Sequence, residues 1–178
     1  MSILKVARMG HPVLRAKARA LDRAAIRTPL MQKLIDDMIE TMNEYHGVGL
    51  AAPQVHEGLR LFVAALDMER GEEPSEPIAL INPEITPVGT EMREDWEGCL
   101  SIPDIRGKVP RHFEIRVKAL DRDGERVELR ARGFSARIIQ HETDHLDGVL
   151  FFDRMKGFET LTFLDEYSRY WVKNEDEE

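Results

Sequence analysis

The segment Gln140-His141-Glu142-Thr143-Asp144-His145-Leu146-Asp147-Gly148 decides how the rest of this chain is read. The spacing predicts a helix from about Ser135 to Asp147, with Ser135 placed to cap it and Gly148 to stop it. Residues four apart on a helix lie on one face, one turn apart. His141 and His145 can therefore bind a single metal ion, while Glu142 lies beside them and can reach a water held there without being a ligand. Ile138 shares this stripe and Ile139 and Leu146 adjoin it, so the face that carries the histidines is read as the buried one. By itself the HExxH pattern also fits a charged surface helix. Its apolar surroundings, its position one turn inside a well-bounded helix and a second unusual segment upstream favour the metal reading.

That second segment, Glu97-Gly98-Cys99-Leu100-Ser101-Ile102-Pro103, holds the only cysteine. A lone cysteine is by default a small buried hydrophobe. Here Gly98 gives backbone access and Pro103 is expected to end a strand, which would leave Cys99 at a strand end facing a cleft. A thiolate and two imidazoles make three ligands, and an open fourth position marks a catalytic metal site rather than a structural one. His11, His46, His56 and His112 have no partner at metal spacing and are read as ordinary polar residues, with only His46 and His56 as candidates to line the cleft.

Further upstream, Thr28 and Pro29 open a predicted helix that runs to about His46 and is stopped by Gly47. Leu30, Leu34, Met38 and Met42, with Met31, Ile35 and Ile39 beside them, give it a wide apolar stripe. Gly47 to Val55 is too rich in glycine and proline to be a helix interior. It lacks the GK[ST] of a phosphate loop. Its glycines would let another backbone approach closely, and Gln54 could offer an amide N–H to an oxyanion. The plainer alternative is a tight buried turn in which Gln54 satisfies backbone groups. Leu59–Leu66 and Ile78–Ile81 read as strands, with a polar surface loop from Met68 to Pro77 between them. Phe113–Ala119 and Val127–Ala131 alternate as a hairpin about Asp121-Arg122-Asp123-Gly124. A last helix is expected over Glu159–Val172. Grouped strands flanked by helices make an α+β fold rather than alternating βαβ.

A chain of 178 residues, 42% hydrophobic and 33% charged, suits one soluble domain with its own core. The sequence has no apolar run of the roughly 18–20 residues that a membrane helix needs, and no secretory signal is read at its start. A formal net charge of −8 argues against binding DNA or other nucleic acid through phosphates. One cysteine precludes an internal disulfide and fits a cytoplasmic location. From about residue 173 the sequence is read as a disordered acidic tail ending in Glu175-Asp176-Glu177-Glu178.

Three segments, in this order, resemble peptide deformylase: Gly47-Val48-Gly49-Leu50-Ala51-Ala52-Pro53-Gln54, Glu97-Gly98-Cys99-Leu100-Ser101 and Gln140-His141-Glu142-Thr143-Asp144-His145. They match the GxGLAAxQ, EGCLS and QHExDH patterns at every fixed position. Flanking stretches near His11, around Val109-Pro110-Arg111 and over Leu146–Phe151 are similar too, so the resemblance runs from about Val6 to Arg154. It implies antiparallel β-sheets packed around a central HExxH metal-binding helix. It also implies removal of the N-formyl group from the N-terminal formyl-methionine of nascent polypeptides, with release of formate. One divalent ion is implied, Fe²⁺ in the cell, with Zn²⁺, Ni²⁺ or Co²⁺ able to take its place. By the same resemblance Cys99, His141 and His145 hold the metal and Glu142 is the general base. The Gln54 side chain and the Leu100 backbone N–H stabilise the oxyanion. Val48 and Gly98 offer backbone to an extended substrate beside Gly49. Val48, Phe134, Ile138 and His141 line the methionine pocket, and Arg106 lies near the peptide's downstream part. Val48, Phe134 and Ile138 would also be core residues in any fold.

The sequence departs from the pattern in two places. Some bacterial members dock on the ribosome through a basic C-terminal helix; the acidic tail opposes that, which leaves at most transient ribosome contact. Gly133-Phe134-Ser135-Ala136-Arg137-Ile138 resembles the organellar branch more closely, and Arg137 stands where a pocket-rim residue is usually apolar. The competing enzyme class is an HExxH zinc peptidase, which ordinarily takes a downstream Glu or His as third ligand. The nearest downstream acids here are Asp147 and Asp153, whereas Cys99 lies upstream in a matching segment. A non-catalytic metal-binding protein is the other class, opposed by the presence of every group the chemistry needs.

Overall fold

The computed structural model describes residues 2–66 and 76–172. Its elements are α1 (Arg23–Ile26), α2 (Pro29–Glu44), β1 (Gly49–Ala51), β2 (Leu61–Ala64), β3 (Ile78–Pro87), β4 (Met92–Cys99), β5 (Ile102–His112), β6 (Glu114–Leu120), β7 (Arg126–Arg132), α3 (Gly133–Leu146), β8 (Thr162–Phe163) and α4 (Leu164–Tyr170), with short 3-10 turns between some of them. The fold is α+β, as its sequence suggests. Most of the expected loop over Met68–Pro77, and the acidic tail, lie outside the described residues.

Five strands form an antiparallel sheet in the order β1-β2-β3-β6-β7, and β4, β5 and β8 form a second. The first sheet is covered on both faces, which is why all four residues of β2 are buried. Leu61 and Val63 pack with Ile35, Met38 and Met42 of α2, while Phe62 and Ala64 pack with Ile138 and Ile139 of α3. A third apolar cluster, with Leu14, Cys99, Ile102, Val109 and Phe151, lies at the second sheet. Helix α3 touches β1, β2 and β7 of one sheet and β5 of the other, so it is buried nearly all round, not on one stripe alone. Among the described residues no helix is long and apolar enough to cross a membrane.

Several local expectations need correction. The core stripe of α2 is Met31, Ile35, Met38 and Met42, whereas Leu30 stands 79% exposed. Thr28 does cap this helix through Met31 N–H. At its other end the left-handed residue is His46, not Gly47, and Gly47 N–H returns to Met42 O at 2.8 Å, the hydrogen-bond pattern of a Schellman closure. Helix α3 starts two residues before Ser135, because Gly133 N–H bonds Phe113 O directly off β7. Pro103 does not end a strand but lies inside β5. Its missing N–H is tolerated because β8 pairs with β5 only at Ile105 and Arg106. The last helix covers only Leu164–Tyr170, since Thr162 and Phe163 are drawn into that pairing.

Candidate metal centre and cleft

The middle of α3 and the turn joining β4 to β5 meet between the two sheets. Cys99 ends β4 and pairs with Ile102 across a two-residue turn. That turn holds the thiol against the helix, with Sγ 3.3 Å from His145 Nε2. The two imidazoles lie edge to face with centroids 5.0 Å apart. One donor atom from each of Cys99, His141 and His145 lies within 4.8 Å of the others. Tetrahedral coordination at about 2.0–2.3 Å puts donors roughly 3.3–3.7 Å apart. The donor set therefore fits one divalent transition ion, with its mixed sulfur and nitrogen character suited to iron or zinc.

The ring of His141 is oriented from behind. Its Nδ1 is 2.9 Å from Glu97 Oε2, which leaves Nε2 free for a metal and fixes the tautomer that can bind one. Glu97 is itself held by Arg111, through Nε at 2.8 Å and Nη2 at 3.0 Å, and by Arg137 Nη1 at 2.8 Å. Arg111 also reaches Asp144 at 2.6 Å. Burial disfavours the Glu97 carboxylate, yet its bonds to His141 and Arg111 prevail and keep it well below the usual carboxylate range. Burial likewise works against the His141 imidazolium, but Cys99 and Glu97 outweigh it and raise the ring well above the ordinary histidine value. The same negative surroundings favour a divalent cation in place of that proton. His145 is driven the other way, by burial and then by repulsion from His141 and Arg111, and stays neutral as a ligand must.

Glu142 is 4% exposed, and burial pushes its carboxyl up to about 7. A side chain on residue 49 would collide with that carboxylate, so glycine there is what lets the base sit against β1. Gly98 has the same role toward the Arg106 guanidinium. At both positions the close neighbour is a side chain of the protein itself. Gln54 accepts the Ala51 N–H at 2.8 Å and aims its amide nitrogen at Cys99 Sγ (3.5 Å) and Ser101 Oγ (3.2 Å). Leu100 follows Cys99 in the turn and lines the same cleft.

A cavity of about 530 Å³ opens onto this centre. Val48, Gly49, Gln54, Gly98, Cys99, Leu100, Arg106, Phe134, Ile138, His141 and Glu142 all line it, and His145 lies below them, 1% exposed. His46 lines it too, whereas His56 packs edge-on against His11 at 4.7 Å instead. Arg137 lines it as well, although its side chain is 6% exposed and also bonds the carbonyls of Arg93, Asp95 and Val109. Sequence reading missed the roles of Glu97, Arg111 and Asp144, and the aromatic wall of Trp96 and Tyr167. Glu97 and Asp144 were visible only as fixed letters of the EGCLS and QHExDH patterns, and Arg111 only within a similar flanking stretch.

The family model described as "Polypeptide deformylase" matches residues 3–160. "Peptide deformylase 2" from Nostoc sp. is 44% identical over 175 residues, covering 97% of both chains. A crystal structure of peptide deformylase from Thermotoga maritima is 41% identical, with a TM-score of 0.79 over 88% of this chain and all of that one. The Met-Ala-Ser-bound class I type b peptide deformylase from Acinetobacter baumannii is 40% identical, with a TM-score of 0.82 over 87% of this chain and all of that one.

Proposed function

The chain belongs to the polypeptide deformylase family, and on that premise we propose which of its residues carry the reaction. It is a metal-dependent hydrolase that removes the N-formyl group from the N-terminal formyl-methionine of nascent polypeptides and releases formate. We assign the ion to Cys99, His141 and His145, an assignment supported above all by their convergence within 4.8 Å. When bound, such an ion supplies Lewis acidity and lowers the pKa of a nearby water towards about 7.

Glu142 takes the water's proton as the oxygen attacks the formyl carbon. Its buried carboxyl, raised to about 7, suits both taking that proton and giving it back. The formyl oxygen becomes an oxyanion, stabilised by the Gln54 amide N–H and the Leu100 backbone N–H. Loss of one such donor raises a barrier by about 3 kcal/mol. Glu142 then returns the proton to the departing nitrogen, the C–N bond breaks, and formate and a free amino terminus result. Extended peptide backbone is received between Val48–Gly49 and Gly98, with Phe134, Ile138 and His141 around the methionine side chain and Arg106 beside later residues. The Met-Ala-Ser held by the Acinetobacter relative supports this peptide reading.

Within the cell we infer Fe²⁺, with Zn²⁺, Ni²⁺ or Co²⁺ able to occupy the same donors, and a cytoplasmic location where newly initiated chains emerge. The free thiol of Cys99 supports a reducing compartment. Two measurements test these readings together. Metal analysis of protein purified without oxygen should find one ion per chain, iron foremost, and zinc alone would refute the iron assignment. Formyl-Met peptides should yield formate while their unformylated forms are left intact. Cleavage of internal peptide bonds without formate would favour the peptidase reading.

A further inference from the structure

Two polar side chains on α2, Asp37 and Thr41, are 5% and 0% exposed. They lie one helical turn apart, next to Met38 and Met42 of the core stripe, and neither lines the metal cleft. Polar groups buried this deeply destabilise a fold unless they are hydrogen-bonded. Asp37 meets Lys33 and accepts the Ser2 N–H at 2.9 Å. Thr41 donates its hydroxyl to the Asp37 carbonyl at 2.6 Å and accepts the Leu4 N–H at 2.8 Å. Both therefore hold the stretch Ser2–Leu4, which has no helix or strand of its own.

Past Leu4 the same stretch reaches the cleft. Ala7 N–H bonds the carbonyl of Gln54 at 2.7 Å, and Met9 N–H bonds that of Ser101 at 2.8 Å. Gln54 belongs to the 3-10 turn Ala52–Val55, and Ser101 follows Leu100 in the turn between β4 and β5. Residues 7–9 thus tie together the two segments that carry the Gln54 amide and the Leu100 backbone N–H. Ala7 itself is 2% exposed and packs in the cluster that contains Cys99.

We propose that Asp37 and Thr41 are positioning residues for the deformylation step. By anchoring Ser2 and Leu4 they hold Ala7 and Met9 against the two turns, which fixes Gln54 and Leu100 where the oxyanion forms. This rests on the assignment of those two donors above. A misplacement of 1 Å arising far from the chemistry can slow a reaction about 100-fold, so remote anchors of this kind matter to the rate.

The test uses the metal-loaded enzyme with formyl-Met-Ala-Ser. Thr41→Val keeps the shape of the side chain and removes the acceptor for Leu4. It should lower kcat about tenfold, a fraction of what a full 1 Å misplacement can cost, with KM changed by less than about twofold. Thr41→Ser, which restores the hydroxyl, should recover most of that rate. Hydrogen exchange at the Ala7 and Met9 amides should speed up in Thr41→Val and not in Thr41→Ser. Deleting residues 2–4 removes the donors and leaves α2 itself intact, and should reproduce the loss of kcat. In a Gln54→Ala background one oxyanion donor is already gone. There Thr41→Val should cost less than about threefold, because residues that act as a unit are not additive. The full loss in that background, a loss in KM alone, or wild-type kcat in both Thr41→Val and the deletion would overturn the proposal. A slowed Gln54→Ala beside an unaffected Thr41→Val would defeat the anchors alone, whereas a wild-type rate in Gln54→Ala would defeat the donor assignment beneath them.

Discussion

Arginine faces carboxylate in two contrasting places in this protein. On the hairpin of β6 and β7, Arg116 lies 3.7 Å from Glu128, with side chains 58% and 57% exposed. Behind His141, Arg111 grips Glu97 through two nitrogens, with both side chains about 5% exposed. Water screens the first pair, and such contacts contribute roughly 0–1 kcal/mol. The second gives up several kcal/mol of hydration per ion, recovered only because Arg111, Arg137 and His141 together satisfy the carboxylate. A well-packed apolar cluster would stabilise that spot as well or better. What an apolar cluster could not do is hold one nitrogen of His141 as a donor and leave the other for a metal. The buried charges are there for orientation, and the exposed ones have no comparable task.

The strongest test of this contrast is on α3 itself. Glu142→Gln should lower kcat about a thousandfold, within the range for a lost general base, while metal content by elemental analysis stays at the wild-type level. An ordinary rate in that variant would remove Glu142 from the chemistry. The base acts as a carboxylate, so wild-type kcat/KM should fall as protons return to it, beginning at or below pH about 7. The residual activity of Glu142→Gln should lack that acid limb.

Arg111→Met should come next. It leaves Glu97 and Asp144 buried without their shared cation, a change that costs about 3–5 kcal/mol where a buried pair is broken. Chemical denaturation measures it, and a loss below 1 kcal/mol would mean that the network is solvated. Glu97→Gln keeps the volume but weakens the hold on His141. Loss of a partner behind a ligand typically lowers metal affinity 10–100-fold, which competition with a chelator would read. Unchanged affinity would make Glu97 a structural residue only. Smallest of all, Glu128→Ala should shift stability by less than about 0.5 kcal/mol; a larger shift would erase the distinction between the two places.

Much of this could be read from local pattern. Thr28 and Pro29 announce α2, and the Asp121–Gly124 turn announces the β6–β7 hairpin, because capping and turn chemistry depend on near neighbours. Of β4 and β5 only a strand end near Cys99 was legible, since Pro103, Gly107 and Pro110 mask alternation in β5, which β4 pairs along one edge while β8 pairs the other only at Ile105 and Arg106. Leu30 was misread for a related reason: its spacing fits the stripe, but which flank of α2 meets the sheet is settled by the sheet.

Sequence by itself determined the chemistry on offer: two imidazoles one helical turn apart, a carboxyl group between them, one thiol, and a glycine-punctuated loop with an amide. Tertiary structure decided what those groups do for one another. Residues 97, 111, 137 and 141 lie on three elements, and their separation in sequence carries no sign that they share hydrogen bonds. The same holds for Trp96 and Tyr167, 71 positions apart by number, which meet only because β8 returns the chain to the edge of β5. Helical periodicity acts over a few residues and is written in order along the chain. Contact between distant segments depends on how two sheets close around one helix, and that is set by the whole core at once.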